Sequence, residues 1–352
     1  VATAMSTVRF PLSLSAVLLL NVGFAWSFLP SSPLLYPQPG FRSRSIQSRS
    51  RLHMSSSGTE AASGVSVEAV PPGTLRPVIL CPAQFGTEAD YDKLKKDMEA
   101  RGFALYPAPL SRFDWLKIVP STLTKEFFTA ELKPAKTLGF FYEALDKAVA
   151  AVEKDFGEDV PIAFLGHSIG GWVARSYIGE VIGEERAASK VCSLVTLGTP
   201  HNPPPKDSPL AALDQTRGLL TYINDKFPSG FPLDPGVVTC VIGKGTRAPE
   251  SVSALLEGWT ERVWDTELSR SPLLEELVAL SSYLPLSGQA FGVEGDGLIP
   301  VDTGILPGCK SIVLDDCHHA DFVPTAGPSL RLPESYPWYG SGTLLDTWVD
   351  CL

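Results

Sequence analysis

Acidic side chains are missing from the front of this chain. No Asp or Glu precedes Glu60, whereas Arg9, Arg42, Arg44, Arg49 and Arg51 all fall there. The remainder is therefore more acidic than the net charge of −10 suggests, with 24 basic residues against 39 acidic. Nucleic-acid binding wants a basic face, so that class of partner is not expected. Metal-ligand spacing is also lacking: the six cysteines (Cys81, Cys192, Cys240, Cys309, Cys317, Cys351) form no C-x-x-C pair. Cys81, Cys192 and Cys240 lie in apolar runs and are expected to act as small buried hydrophobes. A disulfide scaffold is not expected in a chain of 352 residues. No apolar run is long and uninterrupted enough to span a bilayer, so the mature chain is expected to lack a transmembrane helix.

The acid-free front reads as an address rather than as structure. With Met5 as initiator, Arg9 supplies a positive start, residues 10–20 a short apolar stretch, and Ala25-Trp26-Ser27 a small-residue cleavage site. Residues 28–57 are rich in Ser, Arg and Pro, the composition of a transit peptide. Signal, then Phe28-Leu29-Pro30, then a basic Ser-rich stretch resembles the bipartite presequence of algae with secondary plastids. Residues 1–57 are thus expected to be removed on the way to a plastid, and residues 58–74 to form a linker. The alternative is a secretory signal followed by a disordered linker, which places the protein outside the cell or in an endomembrane lumen.

The stretch Pro161-Ile162-Ala163-Phe164-Leu165-Gly166-His167-Ser168-Ile169-Gly170-Gly171 organises the rest. An apolar strand runs into a turn carrying G-x-S-x-G, followed by an amphipathic helix, which is the context of a nucleophile elbow. Gly166 and Gly170 lack the Cβ atoms that would clash in so tight a turn. Ser168 then sits at a helix N-terminus, where the Ile169 amide and the helix dipole face a developing negative charge. A chance Gly/Ser turn is the bland alternative.

Apolar runs at 77–81, 103–106, 162–165, 191–197, 237–242 and 312–314 read as strands. Between them the 3.6-residue period predicts helices at about 89–101, 138–156, 169–182 and 273–284, with a closing helix at 343–352. Alternation of this kind predicts one α/β domain over residues 75–352, a mostly parallel sheet covered by helices on both faces. Residues 202–236, rich in Pro and Gly, are expected to form a lid-like excursion, and about 245–290 an insertion.

An activated serine needs a base and an orienting acid, in the chain order Ser, Asp/Glu, His. Gly295-Asp296-Gly297 offers a carboxylate flanked by glycines, although Gly-Asp-Gly is also ordinary turn chemistry. Asp302, Glu294 and Asp265 are the reserve acids. Of five histidines, His53 is in the presequence, His167 adjoins the serine, and His201 precedes the expected acid. His318 and His319 remain, just after the last strand. Neighbouring loop residues point apart, so only one can be the base.

These motifs together resemble the plant and algal plastid α/β-hydrolases, a lipase-like group of serine hydrolases. The matching pieces are the Pro82 loop running to Asp90-Tyr91, Asp114-Trp115-Leu116, Gly166 to Trp172 around the elbow, Leu197-Gly198-Thr199-Pro200-His201, Gly295-Asp296-Gly297-Leu298-Ile299-Pro300, and Trp338-Tyr339-Gly340-Ser341. The resemblance implies an α/β-hydrolase fold and aligns the base with His319, His318 being the alternative. It also implies a second oxyanion amide at Gln84, beside that of Ile169. The chain departs from the pattern at Pro82-Ala83, where Pro-Gly is usual, and at Ala320, where a serine usually follows the base.

The expected activity is therefore hydrolysis of carboxylic esters by Ser168, His319 and Asp296, with no metal or organic cofactor. Lipid or fatty-acyl esters are the expected substrates, with peripheral membrane contact. Apolar side chains at Phe113, Trp115, Phe127 and Phe128, and at Leu210, Leu213, Leu219, Leu220, Tyr222 and Ile223, could line an acyl pocket or lid, or simply fill core. The same triad could serve an acyltransferase or thioesterase, and a hydrolase-like fold could bind without catalysis.

Overall fold

The computed structural model describes residues 75–204, 214–256, 272–333 and 336–352. The expected presequence (1–57) and linker (58–74), together with His53, Asp265, Leu210 and Leu213, lie outside the described residues.

Six strands make one sheet: β1 (Arg76–Cys81), β2 (Phe103–Pro107), β3 (Ile162–His167), β4 (Val191–Leu197), β5 (Val238–Lys244) and β6 (Lys310–Asp315). All neighbours pair in parallel, in the order β2-β1-β3-β4-β5-β6. Parallel strands need crossovers, and these carry α1 (Asp92–Glu99), α2 (Gly139–Phe156), α3 (Ile169–Tyr177), α4 (Leu219–Lys226) and α5 (Pro272–Ser287). The order reverses at β1, so a crevice opens beyond the C-terminal ends of β1 and β3.

The unbroken apolar runs divide residue by residue between two faces, because side chains alternate along a strand. Ile79, Cys81, Ile162, Phe164, Cys240 and Ile242 join Phe141 and Leu145 of α2, Trp172 and Val173 of α3, and Leu220 and Ile223 of α4. Val78, Leu80, Ala163, Leu165, Val195 and Val241 join Leu94 and Met98 of α1 and a C-terminal group containing Tyr339, Leu345 and Trp348. Each such aliphatic side chain stabilises the fold by about 1.5–3 kcal/mol on burial. A parallel sheet covered on both faces, entered by a strand–elbow–helix, is the α/β-hydrolase fold.

Three expectations need correction. From Gly170 to Tyr177 every residue of α3 is buried, so the helix is enclosed between sheet, α2 and α4 and not amphipathic. The closing helix at 343–352 is only Gly342–Leu345, followed by turns and a 3-10 segment, Val349–Cys351. Trp348 explains the break: it is fully buried, and its indole N–H donates to the Tyr339 carbonyl at 3.0 Å. That packing outweighs a weak local preference carried by Thr347, Trp348 and Val349. Cys192, expected inside, is exposed, whereas Cys81 and Cys240 are buried.

Among the described residues no helix is long and apolar enough to cross a membrane. Where β1 begins, the Arg76 guanidinium donates to the Leu352 carbonyl at 3.1 Å, so the two ends of the sheet-bearing body meet.

Candidate active site

Ser168 stands between β3 and α3 with φ 56° and ψ −129°, a conformation that L-residues adopt at a cost of about 1–3 kcal/mol. The surroundings enforce it. Its amide donates to the Leu197 carbonyl at 2.8 Å, and its own carbonyl accepts from the Thr199 hydroxyl at 2.8 Å. A Cβ on Gly166 would stand 2.3 Å from the Gly171 Cα, and one on Gly170 would stand 2.0 Å from the Cys81 carbonyl oxygen. The two motif glycines thus serve different contacts: Gly166 lets the turn close on itself, and Gly170 lets α3 touch the end of β1. Ile169 opens α3, so its amide belongs to the first turn, whose N–H groups have no acceptor within the helix.

Asp296 and His319 come together although 23 positions separate them. His319 Nδ1 is 2.7 Å from Asp296 Oδ2, and the His319 amide donates to the Asp296 carbonyl at 2.9 Å. Asp296 is 1% exposed, yet its carboxylate is fully supplied with donors. Oδ1 accepts from the Leu298 and Ile299 amides at 3.0 and 2.7 Å, and Oδ2 also accepts from the Tyr339 hydroxyl at 2.7 Å. Burial pushes this carboxyl up, but His319 beside it, the Ile299 amide and the Tyr339 hydroxyl more than offset that and hold it below the usual range. The Tyr339 oxygen in turn accepts from the Gly243 amide at 2.8 Å. Both lone-pair and proton of that hydroxyl are used.

Pair and serine share one corner. A Cβ on Gly198, the residue after the Ser168 acceptor, would lie 2.4 Å from Asp296 Oδ2 and 3.0 Å from His319 Nδ1. Because Nδ1 donates to the carboxylate, His319 Nε2 is left as the proton-accepting nitrogen.

Glu294, His318 and His201 have partners of their own. The His318 ring stacks on Tyr336, centroids 3.8 Å apart, and its Nδ1 is 3.4 Å from the Thr246 hydroxyl. Glu294 pairs with Arg247 at 3.0 Å, and Asp302 is exposed at the head of a 3-10 turn. His201 is buried between the Arg175 guanidinium (3.3 Å) and the Thr196 hydroxyl (3.0 Å); burial and the arginine charge hold it well below its ordinary pKa. Gln84 is exposed on a turn closed by the Gly86 amide to the Ala83 carbonyl at 2.9 Å, with Phe85 at φ 60°. Ala83 itself is buried, and its amide donates to the Tyr91 hydroxyl at 2.9 Å. Among the described residues no group of three His, Cys, Asp or Glu side chains is arranged to hold a metal ion.

Of the apolar residues that could line a pocket, Trp115, Leu219, Leu220 and Ile223 are core. Phe127 and Tyr222 are half-buried against that core. Phe113 and Phe128 are exposed, at 73% and 59%, with Leu116 and Leu123 on the same stretch at 63% and 79%.

Sequence reasoning missed three side chains here. Tyr339 was visible only inside the Trp-Tyr-Gly motif, and Thr199 only inside Leu-Gly-Thr-Pro-His; neither motif states which group it touches. Tyr91 donates its proton to the ring of His167, at 2.8 Å from Nδ1. Nothing in their spacing of 76 positions announces that contact.

Residues 134–224 match the PGAP1-like alpha/beta domain family, a stretch that runs from before α2 into α4 and includes the elbow. No curated protein matches the chain by sequence. Among solved structures, the chain is similar to the mature form of lipase BlEst2 from Bacillus licheniformis, at 13% identity and a TM-score of 0.43 over 82% of this chain and 95% of that one. It is also similar to MGS-MChE2, an alpha/beta hydrolase enzyme from the metagenome of lagoon sediments at Mar Chica, Morocco, at 15% identity and a TM-score of 0.32, covering 70% and 84%. Lipase B of Aspergillus fumigatus gives 12% and 0.29, covering 50% and 39%.

Proposed function

We propose that this protein is a serine hydrolase that cleaves carboxylic esters, with lipid or fatty-acyl esters as its substrates. The observation that carries the reading is the buried Asp296–His319 pair, 2.7 Å apart, at the corner where the strained Ser168 turn meets Gly198. A carboxylate–imidazole pair kept only for stability has no need of an adjoining serine at φ 56°.

In this mechanism His319 Nε2 takes the Ser168 proton as Oγ attacks the acyl carbonyl. Asp296 keeps the proton on Nδ1 and stabilises the imidazolium that forms. The Ile169 and Gln84 amides receive the oxyanion; loss of one such donor typically costs about 3 kcal/mol of transition-state stabilisation. His319 then returns its proton to the leaving alcohol. Water deprotonated by the same nitrogen attacks the acyl-enzyme, and His319 passes that proton to Ser168 Oγ as the acyl–oxygen bond breaks, releasing the acid and the free hydroxyl. The exposed Phe113, Leu116, Leu123 and Phe128 support an apolar acyl chain as the bound portion. The acid-free segment before Glu60 supports a plastid as the place of action.

The test is fluorophosphonate labelling of the wild type beside Ser168→Ala, followed by hydrolysis of p-nitrophenyl esters of increasing chain length. Labelling that disappears with Ser168 and rates that rise toward long acyl chains are expected. Absence of labelling in folded protein would refute the serine hydrolase, and a strict preference for acetate would refute the lipid substrate.

A further inference from the structure

One titratable side chain at the elbow has no part in the mechanism above. His167 is fully buried, and its neighbours are Tyr91, His319, Phe322, Trp338 and Tyr339, all as ring contacts. A histidine of neutral core packing could leave a nitrogen unused, but here both are engaged. Nε2 is 2.8 Å from the carbonyl oxygen of His319. A carbonyl only accepts, so Nε2 carries the proton and Nδ1 is the acceptor in the neutral ring. The Tyr91 hydroxyl, 2.8 Å from Nδ1, must therefore donate there, which leaves its oxygen to accept from the Ala83 amide at 2.9 Å. Every proton in the series has one direction: Ala83 N–H to Tyr91 oxygen, Tyr91 O–H to His167 Nδ1, His167 Nε2–H to the His319 carbonyl.

The two ends of that series are the two loops that must be held at a fixed separation. Ala83 immediately precedes Gln84, and the far end is the backbone of the base itself. His167 lies between them, attached to the residue before Ser168. We propose that His167, oriented by Tyr91, is a positioning residue that sets the oxyanion loop and the base loop at a common distance from Ser168. The inference rests on the serine hydrolase reading and names the groups that keep its geometry. It also requires His167 to remain uncharged, since its ring centroid is 5.0 Å from that of His319 and a second cation there would oppose the imidazolium. Burial first, and then the neighbouring His319, push its pKa down to about 3, in agreement with that requirement.

The experiment compares Tyr91→Phe, His167→Asn, His167→Gln and Tyr91→Phe/His167→Asn in the full chain, with ester hydrolysis and histidine-selective ¹⁵N NMR as readouts. Asn retains an acceptor toward Tyr91 but loses the donor toward His319; Gln retains a donor where Nε2–H stood. Misplacement of catalytic groups by about 1 Å costs about 10²-fold, so His167→Asn is expected to lower kcat by about 10- to 100-fold with KM almost unchanged. Gln is expected to recover much of that loss. Tyr91→Phe is expected to lower kcat as well, and the double variant to fall short of the product of the singles, as members of one series do. In the wild type the NMR spectrum is expected to show His167 as the neutral Nε2–H tautomer throughout pH 5 to 8. Four results overturn the proposal: an Nδ1–H tautomer or a titration in that range, kcat unchanged in His167→Asn, losses appearing in KM, or losses that multiply in the double variant. An inert wild type with the expected NMR tautomer overturns the hydrolase reading and the positioning role together, whereas an active wild type indifferent to His167 overturns the positioning role alone.

Discussion

Tyr339→Phe removes one oxygen and nothing else, and the structure says what that oxygen does. It donates to the Asp296 carboxylate at 2.7 Å and accepts from the Gly243 amide at 2.8 Å, with all three groups buried. Losing a hydrogen bond to a charged group costs about 1.5–3 kcal/mol, and stranding a buried amide about 1–3 kcal/mol. The variant should therefore be less stable by about 3–5 kcal/mol at pH 7, against a total of about 5–15 kcal/mol for an ordinary domain. The two parts respond differently to acid. Asp296 has a folded-state pKa below its ordinary value, so the stability its donors supply is complete above the unfolded carboxylate pKa of about 3.9. It is lost as the pH falls through the lower folded value. The Gly243 amide does not titrate. Urea denaturation followed by tryptophan fluorescence, from pH 7 down to the lowest pH at which the wild type stays folded, separates them. The deficit should narrow below about pH 4 and level off at the amide's share. A deficit below about 1 kcal/mol at pH 7 would refute the claim that this hydroxyl holds the acid, as would one that does not change with pH.

Two other substitutions test neighbouring parts of the same corner. His318→Ala removes a ring that stacks on Tyr336 and should leave kcat within a few-fold of wild type, whereas His319→Ala should reduce it by about 10⁴-fold or more; the large loss falling on His318→Ala with His319→Ala spared would return the base assignment to His318. Gly170→Ala places a methyl 2.0 Å from the Cys81 carbonyl, where backbone faces backbone and neither can step aside. It is expected to abolish native near-ultraviolet circular dichroism, and a folded variant with the wild-type Tm would contradict the packing of α3 against β1.

The parts of this molecule that announce themselves in sequence are those governed by neighbours along the chain. The run at 162–165, the turn and the following helix obey short-range rules, and the strand extends only to His167 beyond its expected end. Asp296 was a candidate because glycines on both sides suit a close approach, and chain order narrowed the histidines to His318 and His319, between which the family resemblance chose. What stayed hidden depends on contacts across the fold. The Tyr339 hydroxyl reaches Asp296 over 43 positions and Tyr91 reaches His167 over 76, distances at which no periodicity operates. Trp348 ended an expected helix for the same reason, through a hydrogen bond and burial that local propensity does not register. Exposed Phe113 and Leu123 show the converse, apolar residues that composition alone would send inside.

The meeting of Arg76 with Leu352 has a practical reach beyond the hydrogen bond between them. Both sit where the parallel strands begin, while Ser168, Asp296 and His319 sit where strands end. A six-residue strand is about 20 Å long, so about a strand's length stands between Leu352 and Ser168. Arg76 and Leu352 therefore lie at the back of the molecule. A fluorescent fusion or a surface tether attached at Leu352 would leave the approach to Ser168 open.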